Sequence, residues 1–434
     1  MKKLFLLIFF SISLFGQVYQ TESFSDALGD YFQKQNWYGV KYNYTSDSFT
    51  RTGTLKNEAI ATKPSEVLLT VHNKIRRCVI NDAGVRQYYL DRNNSYLQEN
   101  GDSAKVDGTD GMVMVEFPKF YYKYSISGTE YEWNISLENI SGFTVHPAFV
   151  DSGGVEKDYV YIGAFAGVLY DASAGAYLDA SSSSIYASGD KLASIVGYKP
   201  STGETRAEYR VASTARGAGW HQLSHELLSM VQLLFITEYA SFNSQTMISE
   251  GNTKFSTWDY NTRIAPTGKS LLDGDYSNGQ STVGGYSLDY VSYRGLEDFW
   301  GNVWQFVDGI NINNDGVSSK LYVTNDYRYF IDNTSTNYTF IGNLANTDGY
   351  IKRIINYETG FYPSIIGGAS NTYLADYYYT DYDTSPSGGW RVFMVGGCAY
   401  YGVKAAGVFV GYSYNASSSA GSDIGGRLCF SGSN

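Results

Sequence analysis

Residues 297–309 read Glu297-Asp298-Phe299-Trp300-Gly301-Asn302-Val303-Trp304-Gln305-Phe306-Val307-Asp308-Gly309. Two tryptophans stand four apart. Side chains of that size and stiffness anchor cores. Gly301 and Gly309 suit tight turns with positive φ. The segment therefore reads as scaffold: it places large rings inside, turns the chain sharply and names no ligand.

Upstream lie two helix signals. Ser201-Thr202-Gly203-Glu204, after Pro200, has the form of a capping box and predicts a helix through about Arg216. A second helix is predicted from about Gln222 to Tyr239, where Leu223, Leu227, Met230, Val231, Leu234 and Phe235 recur at helical spacing. Further upstream the pattern is strands and turns. Val67–Val71, Val85–Leu90, Met112–Tyr124, Gly142–Phe149 and Tyr159–Gly163 read as strands. Beyond Gly251 strands and long loops are predicted, with residues 273–286 and 311–319 as surface excursions.

The whole chain has 434 residues, with 41 Tyr, 46 Gly and only 7 Pro. That aromatic content excludes intrinsic disorder, and no Gly-X-Y period or sustained heptad is present. A net charge of −11 and a single basic cluster, Lys74-Ile75-Arg76-Arg77, argue against nucleic acid as a partner. Residues 1–16 carry two lysines, an apolar run from Leu4 to Phe15 and then Gly16, a signal-peptide layout. The alternative is a hydrophobic segment buried in an assembly. No later stretch predicts a membrane span. The domains expected are 1–16 as signal or hydrophobic segment, 17–107 as a smaller β-rich region, and 108–434 as the main domain.

Several segments carry a resemblance. Residues 297–309 are similar to the D-x-x-G-N-V-W-E-W signature of the formylglycine-generating-enzyme group of C-type lectin folds. Gly389-Trp390-Arg391-Val392-Phe393-Met394-Val395-Gly396-Gly397 and Ile424-Gly425-Gly426-Arg427-Leu428 resemble that group's ending. The wider arrangement resembles phage tail and fibre proteins of that fold, some of them variable products of diversity-generating retroelements. Its carriers are Val115–Lys123, Val145–Phe149, Asp158–Ala164, Leu227–Gln245 and Tyr293–Leu296. The resemblance implies an α+β, C-type lectin-like fold: twisted antiparallel sheets, two helices and long loops. Trp300, Gly301, Asn302, Trp304, Asp308, Trp390, Gly396, Gly397 and Arg427 are the structural signature it carries over.

Oxidases of that group bind copper and attack substrate through cysteines near the C-terminus. Here Cys398 and Cys429 lie 31 residues apart, unlike a short thiolate pair. They read as two buried thiols on neighbouring strands, or as a disulfide in an exported chain. His221 and His225 are four apart, but Gln222 occupies the metalloprotease glutamate position and Ser224 breaks the inverted motif. Asn311, Asn313 and Asp315 before Gly316 resemble the first half of a calcium loop, with Tyr322 at position twelve instead of a glutamate. That stretch reads as a polar loop, with one calcium ion as the alternative. No other cofactor is predicted.

In residues 396–434, Tyr, Ser and Gly make up 20 of 39 positions. Binding loops of antibodies favour the same mixture, because Tyr supplies rigid contact area and Ser and Gly supply adaptable polar contact. Along Val408–Asn415, alternation predicts Phe409 inward with Val410, Tyr412 and Tyr414 outward. Tyr400, Tyr401, Lys404, Val410, Tyr412, Tyr414 and Ser418 are the candidate ligand-binding residues. A second cluster comprises Tyr373, Tyr377, Tyr378, Tyr379 and Tyr382.

The leading expectation is a non-enzymatic, extracellular adhesin of tail or fibre type. It would bind a bacterial-surface glycan or protein, as a homo-oligomer (a homotrimer by the fibre resemblance) beside other virion proteins. Alternatives are an exported cell-surface binding protein diversified by a retroelement, and a formylglycine-type oxidase.

Overall fold

The computed structural model describes residues 36–151, 153–178, 184–257, 259–273, 277–283, 285–355, 358 and 360–432. The expected signal segment, 1–16, lies outside them. The fold is mostly β, 37% strand and 11% helix, with five sheets among the described residues. This corrects the α+β, C-type lectin-like expectation of two helices. Four helices are present among the described residues: α1 Arg206–Thr214, α2 His225–Tyr239, α3 Ser244–Met247 and α4 Tyr260–Arg263. The last two are single turns of four residues. The physical reason is the aromatic and β-branched content of the chain beyond residue 251, which fits pleated surfaces over most of its length.

A five-stranded sheet runs in the order Ser48–Gly53, Trp37–Asn43, Glu130–Ser136, Tyr121–Ser127, Thr144–Val145. A six-stranded sheet joins Trp220–Gln222, Leu428–Phe430, Tyr159–Gly163, Met112–Pro118, Arg76–Ile80 and Arg86–Tyr89. Both sheets take strands from either side of residue 107. The largest sheet orders Thr339–Leu344, Ser319–Val323, Trp304–Asn314, Gly389–Gly396, Gly407–Ser413, Tyr377–Thr380, Gly349–Ile354 and Pro363–Ile366, with Ile424–Gly425 added beside Trp304. Its end strands return toward each other, where Ala345 N donates to the Pro363 carbonyl at 3.0 Å. The sheet curls almost into a barrel, which leaves little free backbone edge.

Every residue of α2 is buried. Its last carbonyls lack intrahelical donors, and two of them are met by another chain segment. Arg51 donates to the carbonyls of Thr237 and Glu238, and His72 Nε2 bonds the Leu234 carbonyl. Glu238, on the same helix, pairs with the buried Arg294 at 2.5 Å.

Other details depart from expectation. The capping box of α1 is Thr205 with Glu208, four residues beyond the predicted one. The Ser201 hydroxyl instead accepts from Leu169 N, and Glu204 accepts from the Ile185 and Tyr186 amides. Residues 67–71 form turns before a short 3-10 helix, His72–Lys74, not a strand. Asn311–Asn314 end the long strand Trp304–Asn314 and are largely buried, not a surface excursion.

Candidate functional site

The signature residues hold two cores apart. Trp300 lies in the larger core and Trp304 in the second, both buried. Between them the chain turns at Gly301, φ +80°, where a Cβ would sit 2.8 Å from Asn252 N. Asn302 fixes the neighbouring loop, accepting from Ala265 N and donating to its carbonyl. Asp308 receives Arg210 at 2.6 and 2.7 Å and Gln222 at 2.7 Å. Gly396 and Gly397 both adopt positive φ, and half-buried Trp390 packs on Tyr322. Arg427 is fully buried and donates to Gln305 Oε1 and to the carbonyls of Gly163, Glu297 and Asp298.

The largest sheet then brings the two tyrosine clusters together. Tyr377–Thr380 pairs in parallel with Gly407–Ser413 and sets Tyr379 opposite Tyr412. Alternation sends Tyr378 into the larger core, where its hydroxyl meets Ser413 Oγ at 2.5 Å. Tyr377 and Tyr379 emerge on the other face. There the ring centroids form one chain of contacts: Tyr350–Tyr377 5.2 Å, Tyr377–Tyr379 4.7 Å, Tyr379–Tyr401 5.6 Å and Tyr379–Tyr412 5.6 Å. Tyr400 lies 4.2 Å from Tyr401, and Tyr414 lies 6.0 Å from Tyr412. Trp304 underlies them, 5.0 Å from Tyr412. The Lys404 ammonium sits over the Tyr377 ring at 5.0 Å.

Tyr401 and Tyr414 are 37% and 48% exposed, Lys404 and Ser418 are exposed, and Tyr400 and Tyr412 are half-buried. Val410 is not on this surface. It is fully buried in the second core while Phe409 fills the first, so the strand is covered on both faces. Alternation placed Val410 and Tyr412 on the same side correctly, but that side is open only from Tyr412 onward. Tyr382 is buried, and Tyr373 packs against the larger core.

Beside this array is a cleft of about 350 Å³ lined by Trp304, Met394, Tyr412, Asn415, Ser419, Ala420, Gly421, Asp423 and Ile424. The Asp423 side chain is hydrogen-bonded to the buried Cys398 thiol. Burial pushes the Asp423 carboxyl above its ordinary range. Burial also raises the phenols of Tyr379, Tyr401 and Tyr412, so these rings are neutral hydrogen-bond donors at physiological pH. Sequence reasoning missed Trp304, Asn415 and Asp423 as cleft residues. The parallel strand pairing and the contact between Ile424–Gly425 and Trp304 are non-local, and no local pattern announces them. Tyr379 was findable, since alternation in Tyr377-Tyr378-Tyr379 puts its first and third rings on one face.

The remaining candidates have structural partners. Cys78, Cys398 and Cys429 are buried free thiols. Burial raises the thiols of Cys398 and Cys429, which disfavours the thiolates a copper centre would use. His221 bonds the Gln222 carbonyl and Ser431 Oγ, while His225 Nδ1 meets the Tyr362 hydroxyl. Asn311 spends its amide on Arg206 and on the carbonyls of Ile331 and Thr334. Asn313 is half-buried, and Asp315 caps its own turn and pairs with Lys320 at 2.6 Å. Among the described residues no helix is long and apolar enough to cross a membrane. Compared with family models and with curated proteins, the chain finds no match.

Proposed function

We propose that the chain is a non-enzymatic recognition protein, a virion adhesin of tail or fibre type that holds a bacterial-surface glycan or protein on its tyrosine face. One observation carries the reading: an unbroken series of ring contacts runs from Tyr350 to Tyr414, with a branch from Tyr379 to Tyr401, and includes two exposed tyrosines, Tyr401 and Tyr414. A rigid strand pair holds these rings, so little side-chain freedom is lost on binding. Sugar rings present C–H faces that stack on such surfaces, and Asn415 and Ser419 line the adjoining cleft for hydroxyl contacts. A shallow face of this kind gains strength when several copies engage one surface, which suits a homo-oligomer. The test is binding of the purified chain to bacterial cells and to a glycan array. Changing Tyr400, Tyr401, Tyr412 and Tyr414 together to Ala abolishes binding on this reading. Undiminished binding by a folded variant refutes it.

A further inference from the structure

We infer that the cleft over Asp423 is a subsite for a sugar carrying a free, positively charged amine. The inference rests on the recognition reading and narrows its ligand class. Among the described residues, Asp423 is the only charged one lining the cleft, and it has no cationic partner among them. Its carboxyl faces the Cys398 thiol and its own backbone N–H, and neither is a cation. A mostly buried carboxylate without a cationic partner is unfavourable, and an incoming ammonium supplies that partner.

The walls favour the same occupant. Trp304 and Tyr412 line the cleft, with Tyr379, Tyr401 and Tyr414 beyond them. Aromatic faces carry negative potential and attract ammonium groups, most strongly where water is displaced. The volume, about 350 Å³, is at the small end for ligand sites and suits a single ring. Asn415 and Ser419 supply side chains for ring hydroxyls. A neutral sugar leaves Asp423 unpaired, and an acidic sugar meets like charge. The net charge of −11 adds long-range attraction for cations.

The test is calorimetric titration of the full chain with β-1,4-linked glucosamine oligomers and, separately, with the fully N-acetylated oligomers of equal length. The pH is set below the pKa of the amine. Free-amine oligomers bind about tenfold tighter or more, the loss expected when a charge-assisted contact is removed. Asp423→Asn erases the preference for the free amine. The comparison on the unsubstituted protein stands even if that variant fails to fold. Equal affinity for both oligomers overturns the inference. So does an undiminished preference in folded Asp423→Asn. If neither oligomer binds while attachment to cells still requires the four tyrosines, the amine subsite falls and the recognition reading survives. If attachment is also indifferent to the tyrosines, both fall.

Discussion

Arg427→Met removes the tie that joins three distant segments of the scaffold. The guanidinium is fully buried and makes four hydrogen bonds, to Gln305 Oε1 at 2.6 Å and to the carbonyls of Gly163, Glu297 and Asp298 at 2.8, 2.7 and 3.0 Å. All four acceptors are neutral. Burial lowers the guanidinium pKa to about 10, a sign that the charge itself is poorly compensated. Met keeps the chain length and removes the donors. At ~1 kcal/mol net for each lost bond, the cost is about 4 kcal/mol. Relief of the buried charge returns part of it, leaving roughly 2–4 kcal/mol of destabilisation. Arg427→Lys keeps the charge but loses the planar fork, and is expected to cost more than Met. Urea unfolding followed by tryptophan fluorescence measures both. A Met variant within about 1 kcal/mol of the parent, or a Lys variant milder than Met, refutes the reasoning.

Glu238→Gln removes one of the two carboxylates paired with the buried Arg294, leaving Glu66 at 2.9 Å, and is expected to cost about 1.5–3 kcal/mol, while Glu238→Gln with Arg294→Met costs less than the single change; a double-mutant cycle in urea checks this. Burial pushes the Glu238 carboxyl up, but Arg294 outweighs it and holds the pKa below the ordinary value. Its contribution is therefore present above the unfolded pKa of about 4.3 and is lost as pH falls through the folded one. Asp376 has the opposite sign. Burial pushes its carboxyl up to about 7, so its contribution is present below about pH 4 and lost as pH rises toward 7. Asp376→Asn should gain stability relative to the parent across that window, as read from melting temperatures between pH 4 and 8. Tyr401→Ala with Tyr414→Ala should change stability by less than about 1 kcal/mol, since both rings are exposed, yet weaken cell binding at least tenfold.

Legible in the sequence were the elements with strong local periodicity. The second helix was read from Leu227, Met230, Val231, Leu234 and Phe235, all of which are buried. The strand Tyr159–Gly163 was bounded correctly. The capping box was misplaced because Ser201–Glu204 and Thr205–Glu208 satisfy the same spacing, and only tertiary contacts to Leu169 and Ile185 decide between them. The overall class was overturned because a resemblance in short signature segments says little about the strands between them, and those strands dominate the fold. The tyrosine face was half legible. Composition singled out both clusters, but their union depends on a parallel pairing, Tyr379 opposite Tyr412, between strands distant in sequence. Val410 was misassigned for a related reason: alternation tells which side a residue faces, not whether a second core covers that side.

The strand Gly407–Ser413 packs Phe409 into one core and Val410 into the other. A slip of one residue would force each side chain into the wrong interior, so its register is fixed from both sides. Along this strand, packing thus constrains Phe409 and Val410 from both sides, while the ring of Tyr412 is only half-buried and Tyr414 just beyond is exposed. A chain built this way can exchange the rings at its open end without renegotiating its fold. On the recognition reading proposed above, binding preference is free to drift across generations while the architecture stays constant.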